Sequence, residues 1–149
     1  MRTRVLRLVT VLGTAGVLCA LTASCGLSKA RDDAEKVLAR HFQMISTNGY
    51  GAAMTDYGGQ FFARTGRDQW EETLRGITSK LGPFRGYMIT QWGVSRRAGG
   101  VGAGLYVRLV CQDPYGESVA AEDFTLLKGP GESEFKIIAH HINSPGLAP

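Results

Sequence analysis

The stretch GLYVRLVCQDPYGESVAAEDFTLL, residues 104–127, alternates apolar and polar positions on both sides of a turn. Leu105, Val107, Leu109 and Cys111 recur at every second position before the turn, and Ala120, Glu122, Phe124 and Leu126 do so after it. A period of two is that of a half-buried β-strand, whose successive side chains point to opposite faces. The intervening Asp113-Pro114-Tyr115-Gly116 has the residue types of a tight turn. Closing the hairpin there sets Gln112 opposite Glu117 and Val110 opposite Val119, so both apolar sets share one face.

Further strands are expected on either side, over 84–96 before this hairpin and 134–143 after it, with 104–112 and 118–127 as the hairpin's own strands. The connections are a glycine-rich loop at 98–102, the turn at 113–116 and Lys128-Gly129-Pro130-Gly131. Short turns between successive strands predict an antiparallel meander. A turn through Gly129-Pro130-Gly131 carries the face on to Phe135, Ile137, Ala139 and His141, although a slip of one residue in either hairpin reverses the facing.

Before Pro83 the period is near 3.6. Ala34, Val37, Leu38, Phe42 and Ile45 mark an amphipathic helix over 29–47, with Ser28 as its expected N-cap and Asn48-Gly49 as its end. Tyr50, Ala53, Met54, Tyr57 and Phe61 share a face in a second helical stretch, 50–62, which Gly51, Gly58 and Gly59 weaken by about 1 kcal/mol each. Thr65, three residues before Asp68, is expected to cap a third helix whose stripe is Trp70, Leu74, Ile77 and Leu81, and Gly82-Pro83 stops it. Three helices followed by four antiparallel strands make an α+β architecture with helices covering one sheet face. The expected organisation is one domain over 30–143 and a C-terminal tail over 144–149.

The N-terminus has a different character. Arg2, Arg4 and Arg7 precede the uncharged stretch 8–21, and the small residues Thr22, Ala23 and Ser24 follow, as in a secretory signal. A helix of fourteen residues spans roughly 21 Å, short of the ~30 Å hydrocarbon core, which argues against a permanent transmembrane helix. Leu21-Thr22-Ala23-Ser24-Cys25 resembles a bacterial lipobox, whose cysteine takes a diacylglycerol thioether and becomes the mature N-terminus. The resemblance implies a signal peptide at 1–24, lipidation at Cys25, a short tether at 25–29 and a lipid-anchored place in the cell envelope. Gly26, where an Asp would resemble an inner-membrane retention signal, favours the outer membrane in a Gram-negative cell.

Removing 1–24 changes the composition. The 17 Lys and Arg lose the three arginines of the leader and face 13 acidic residues, so the mature charge is about +1 and the electrostatic case for nucleic-acid binding goes with the leader. Of three cysteines only Cys111 stays available, which precludes an intramolecular disulfide and leaves stability to the core.

The order of elements resembles the cone-shaped nuclear-transport-factor-like superfamily, with its ketosteroid-isomerase-like and SnoaL-like (cystatin-like) members. The Gln69-Trp70 start of the third helix, Leu81-Gly82 followed by Arg85, and Glu122-Asp123-Phe124-Thr125-Leu126 also resemble a family of small bacterial lipoproteins of unknown function. The resemblance implies a curved, cone-like sheet and the possibility of a homodimer formed through it. Isomerases of the superfamily place a carboxylate base beside tyrosine and acid donors in an apolar pocket. Tyr50, Tyr57, Tyr87, Tyr106 and Tyr115 supply tyrosines here, without a motif that matches that constellation.

On the expected register Glu122 and His141 point inward on neighbouring strands. A carboxylate and an imidazole in an apolar concavity could work as an acid–base pair, since burial and mutual attraction shift both; the plainer reading is a satisfied buried polar contact. Adjacent His140 and His141 face opposite sides of a strand and cannot share a metal, and His41 and Cys111 complete too sparse a ligand set for zinc. The glycine run 99–104 precedes no helix and so lacks the context for phosphate binding. No cofactor fingerprint appears. Trp70 reads as core, Arg108 and Asp123 as an ion pair on the outer sheet face, and Arg96-Arg97 as a strand end able to touch anionic headgroups if it faces the membrane.

Three functions remain: an anchored, non-catalytic binding or scaffolding module for an envelope protein or small hydrophobic ligand; a pocket enzyme, isomerase- or hydrolase-like, acting on a small hydrophobic molecule; or a structural subunit that pairs through its sheet.

Overall fold

The computed structural model describes residues 15–148, with side chains from Gly26 onward. Residues 1–14 of the expected signal segment and the side chain of Cys25 lie outside the described residues. The chain runs through α1 (Ala15–Ser46), three single turns at α2 (Tyr50–Ala53), a 3-10 turn (Met54–Asp56) and α3 (Gly59–Phe62), and then α4 (Arg67–Leu81). Strands β1 (Met88–Arg97), β2 (Gly104–Tyr115), β3 (Ser118–Lys128) and β4 (Lys136–Asn143) follow, and a 3-10 turn (Pro145–Leu147) ends the chain. The strands form one antiparallel sheet in the order β1-β2-β3-β4, the meander their short connections dictate. Helices then a four-stranded antiparallel sheet is the α+β class expected.

Helix α1 buries Ala30, Ala34, Val37, Leu38, His41, Phe42 and Ile45 along one stripe, with polar residues between them. Ser28 does not cap it, because the helix continues back to Ala15 and residues 25–29 lie within it. Asn48, at φ 59, and the bond from Gly49 N to Met44 O (2.7 Å) end it. The stretch 50–62 breaks into turns, yet its predicted face survives. Tyr50, Ala53, Met54, Tyr57 and Phe61 are all buried. The break is at Tyr57, whose backbone is extended and bridges Ile137 of β4, while Gly58 N bonds Ile137 O (2.9 Å). Gly66 rather than Thr65 occupies the cap of α4, and no side chain bonds the first turn.

Two departures in the sheet carry consequences. The β2–β3 turn is the two-residue Gly116-Glu117, with Tyr115 facing Ser118, Cys111 facing Glu122 and Gln112 facing Ala121. Pro114 is tolerated inside β2 because its carbonyl accepts from Arg85 N (2.9 Å) on the side away from β3, so its missing N–H takes no bond from the β2–β3 ladder. The expected register is therefore off by an even number of residues, and the face assignment of β2 and β3 holds. In β4 the parity changes. Thr125 faces Ala139 but Leu126 faces Ile137, so Ile138 is an extra residue, a β-bulge. Phe135 and Ile137 point inward as expected. After the bulge His140 and Ile142 take the inner face, and His141 turns out to solvent.

Phe42, Phe124, Phe135, Leu38, Met54, Leu109, Leu126 and Ile137 fill the space between α1 and the sheet. Each such burial contributes about 1.5–3 kcal/mol. Phe42 stacks on Phe84 at 4.7 Å and meets Phe124 edge-on at 5.6 Å, which ties α1 to the segment entering β1 and to the inner strand β3. The residues expected as a tail are docked. Ser144 Oγ donates to Val119 O (2.9 Å), and Leu147 packs on Leu81, Tyr115 and Ala120. No helix among the described residues is long and apolar enough to cross a membrane.

Candidate functional site

Directly beneath the helices, four buried polar side chains, from three strands and the break after the 3-10 turn, join in a line. Tyr57, in the break after the 3-10 turn, places its hydroxyl 2.8 Å from His140 Nδ1. His140 Nε2 lies 2.7 Å from Glu122 Oε2 on the neighbouring strand. Tyr115, at the end of β2, donates its hydroxyl to Glu122 Oε1 (2.6 Å). The arrangement that uses every group has Tyr57 donating to Nδ1 and Nε2–H donating to the carboxylate. Glu122 is then a carboxylate with both oxygens engaged, and His140 an imidazole with both nitrogens engaged.

Aromatic rings pack against the line. Phe124 stacks under His140 at 4.0 Å, Trp70 stands edge-on at 5.4 Å, and His41 at 6.0 Å. The side chains of His140 and Glu122 are 0% and 1% exposed. Burial raises the Tyr57 hydroxyl well above its ordinary range. Burial also raises Tyr115, with the Glu122 charge adding to it. Both phenols therefore remain donors at neutral pH. Cys111, paired across to Glu122, is likewise raised by burial and is an inert core thiol.

Two titratable groups beside this line are less well served. Asp113, on the same face of β2, makes no hydrogen bond through either carboxyl oxygen; burial, and then the Glu122 charge, push it up to about 9. His41 is lowered to about 3 by burial and then by His140, and its Nδ1 finds no partner. Both are uncharged in the fold at neutral pH. A second buried acid, Asp56, is held by Arg40, whose Nε and Nη2 reach its Oδ1 at 2.8 and 2.6 Å.

Glu122 therefore stands where the sequence placed it, while His141 does not join it. The imidazole beside Glu122 is that of His140, and the bulge at Ile138 is the reason. Arg108 and Asp123 pair on the outer sheet face, Arg108 Nε reaching both carboxylate oxygens at 3.0 and 3.1 Å. Trp70 is half-buried in the core, and Trp92 is 49% exposed at the edge strand, beneath the guanidinium of Arg31. Sequence reasoning missed Tyr57, Tyr115 and His140 as members of the line, and Asp113 beside it. Asp113 and Tyr115 left a signal, since their alternation with Leu109 and Cys111 continues the buried face of β2 past Gln112.

A cleft of about 250 Å³ reaches His140, lined by Phe61, Arg64, Thr65 and Trp70 and by residues 138–141 of β4. Pockets for drug-sized molecules run from about 300 to 1,000 Å³. A larger groove of about 570 Å³ lies at the other end of the molecule, between the start of α1, the β1–β2 loop and the β3–β4 loop. Among the described residues no three His, Cys, Asp or Glu side chains gather as metal ligands.

Among solved structures, that of Bd1075 from Bdellovibrio bacteriovorus is similar to this chain, with a TM-score of 0.51 and 14% identity over 76% of the chain. The chain spans about 40% of the length of that protein, and at this identity the likeness speaks for the fold alone. No family model and no curated relative matches the sequence.

Proposed function

We propose that the chain is a lipid-anchored protein of the bacterial cell envelope, whose cone-like, nuclear-transport-factor-like domain is a non-catalytic binding or scaffolding module. The observation that carries the non-catalytic part is the saturation of Glu122 and His140. Both nitrogens of His140 and both oxygens of Glu122 are hydrogen-bonded to Tyr57, to Tyr115 or to each other. A general base must reach a substrate proton, and these two side chains, hydrogen-bonded to each other and 0% and 1% exposed, present almost no surface to one. Such a network fixes the packing of the three strands and the break instead.

The anchor rests on residues 21–25 and on the leader ahead of them. Its test is intact-mass analysis of membrane-extracted protein, wild type against Cys25→Ser. The wild type is expected as a chain starting at Cys25 and carrying the lipid mass, and the variant as an unlipidated chain. An unmodified wild-type N-terminus overturns the anchor. Crosslinking in intact envelopes followed by native mass measurement tests the module, since it must recover a defined partner or bound molecule.

A second reading, the pocket enzyme for a small hydrophobic molecule, draws on Asp113, a buried acid held protonated with no partner for its oxygens. Such an acid can donate to a developing oxyanion. On that reading Asp113→Asn retains ligand binding in native mass spectra and loses turnover. On the binding-module reading Asp113→Asn changes no turnover, because there is none to lose.

A further inference from the structure

The 570 Å³ groove gathers charge and apolar surface at the end of the molecule where Cys25 lies. Gly26 and Lys29 of α1, Arg96 and Arg97 of β1 and Lys128 of β3 line it, together with Asp33 and Glu132. The two acids are already engaged. Asp33 accepts from Lys29 (2.7 Å) and Lys36 (3.0 Å), whose hydrogen bonds lower it to about 2, and Glu132 accepts from Gly129 N (2.7 Å). Among the described residues Arg96, Arg97 and Lys128 enter no ion pair. Beside them project two apolar side chains, Leu27 at 46% exposure and Val101 fully exposed in a loop of glycines.

Position makes this patch more than a solvated strand end. Residues 25–29 are a turn of α1 rather than a slack tether, so Cys25 is one residue, about 3.8 Å of Cα spacing, from the groove-lining Gly26. We infer that this end of the domain is a membrane-docking face. Arg96, Arg97 and Lys128 contact anionic phospholipid headgroups, while Val101 and Leu27 enter the headgroup–acyl boundary. This rests on the anchor reading, because an acylated Cys25 brings the face to the bilayer. Arg97 and Lys128 lie over the rings of Tyr106 and Phe135 at 5.8 and 6.0 Å, and cations outside any ion pair with exposed apolar side chains among them are the composition of an interfacial contact. A basic side chain at an anionic surface strengthens binding about fivefold.

The test uses the full lipidated protein bearing Val101→Cys, labelled with a polarity-sensitive fluorophore. Cys111 is buried and Cys25 is consumed by the lipid, so the label is selective. The protein is floated on vesicles of phosphatidylcholine alone and of phosphatidylcholine mixed with phosphatidylglycerol. Flotation on neutral vesicles reports the anchor by itself, and its absence there overturns the anchor reading. The docking face predicts a blue-shifted probe only on the phosphatidylglycerol vesicles. The shift is lost on raising salt and in the Arg96→Glu, Arg97→Glu double variant, which still floats on neutral vesicles. Lys128→Glu, on a different strand, reads the same effect should the double variant misfold. A probe with equal emission on both vesicles, or one indifferent to charge reversal, overturns the docking face whatever the anchor does.

Discussion

His140 Nε2 lies 2.7 Å from Glu122 Oε2 because Ile138 is one residue too many in β4. Without it the strand would present His141 to the carboxylate and leave His140 in solvent. Removing His140 leaves Oε2 of the buried Glu122 carboxylate and the Tyr57 hydroxyl each without its hydrogen-bond partner, at a cost of about 3–5 kcal/mol. His140→Ala is expected to lower the unfolding free energy by that order in urea titrations. His141→Ala, on the exposed side of the same strand, should stay within about 0.5 kcal/mol. Equal losses in the two variants would falsify the bulge.

That one-residue error shows how the sheet was legible and where legibility stopped. The even slip in the β2–β3 hairpin did no harm, since parity alone decides facing and Val107, Leu109, Glu122 and Phe124 kept their side. The bulge is an odd slip and reversed everything after it. Its trace in the sequence is the adjacent pair Ile137-Ile138, followed by Ile142, an apolar set that no single parity satisfies. Tyr57 left less. Its helical periodicity with Tyr50 and Phe61 predicted burial correctly, but its extended backbone comes from pairing with Ile137, a contact eighty residues away. The Gly66 cap likewise overrode the Thr65 signal, because glycine supplies the extended entry without a side-chain bond.

Asp113 gives the domain an alkaline weakness. Its carboxyl is raised to about 9 in the fold, whereas an unfolded aspartate titrates near 3.9. Between those values the folded chain holds a proton the unfolded chain has released, so stability falls as pH rises. The contribution is complete below about pH 4 and is lost progressively up to about 9. Asp113→Asn keeps the shape without the titration. Thermal melts from about pH 5 to about pH 8 should show a flatter slope in the variant than in the wild type. Parallel slopes would remove Asp113 as their source.

His41 acts in the opposite direction. The buried imidazole is lowered to about 3, against about 6.5 for an unfolded histidine, so the unfolded chain binds the extra proton between those values. Stability contributed by the neutral ring is present above about pH 6.5 and drains away as the medium is acidified toward 3. An apolar replacement forfeits the ring's bond to the Ala53 backbone but none at Nδ1, which has no partner. His41→Leu is expected to melt within about 1 kcal/mol of wild type at neutral pH and to resist acid better. Acid unfolding midpoints that coincide would locate the sensitivity elsewhere.

The junction of α4 with the β2–β3 turn depends on two glycines in contact. Gly82, at φ 94, ends the helix, and a Cβ there would stand 3.0 Å from Gly116 Cα. Gly116, the first residue of the turn at φ 49, donates its N–H to Pro83 O (2.9 Å), and its own Cβ would fall 2.8 Å from Leu81 O. Both neighbours are backbone, so neither contact is relieved by a rotamer change. Gly131, at φ 80 in the β3–β4 loop, has the same positive φ with nothing within 4 Å of a Cβ. Gly131→Ala therefore measures the conformational cost alone, about 1 kcal/mol. Gly82→Ala adds displacement of a backbone and should cost about 2–4 kcal/mol. The excess of the second over the first, read from urea midpoints at equal m, combines the close approach with the glycine-only backbone of Gly82, whose ψ is −177; if it vanishes, the helix end and the hairpin do not touch in solution.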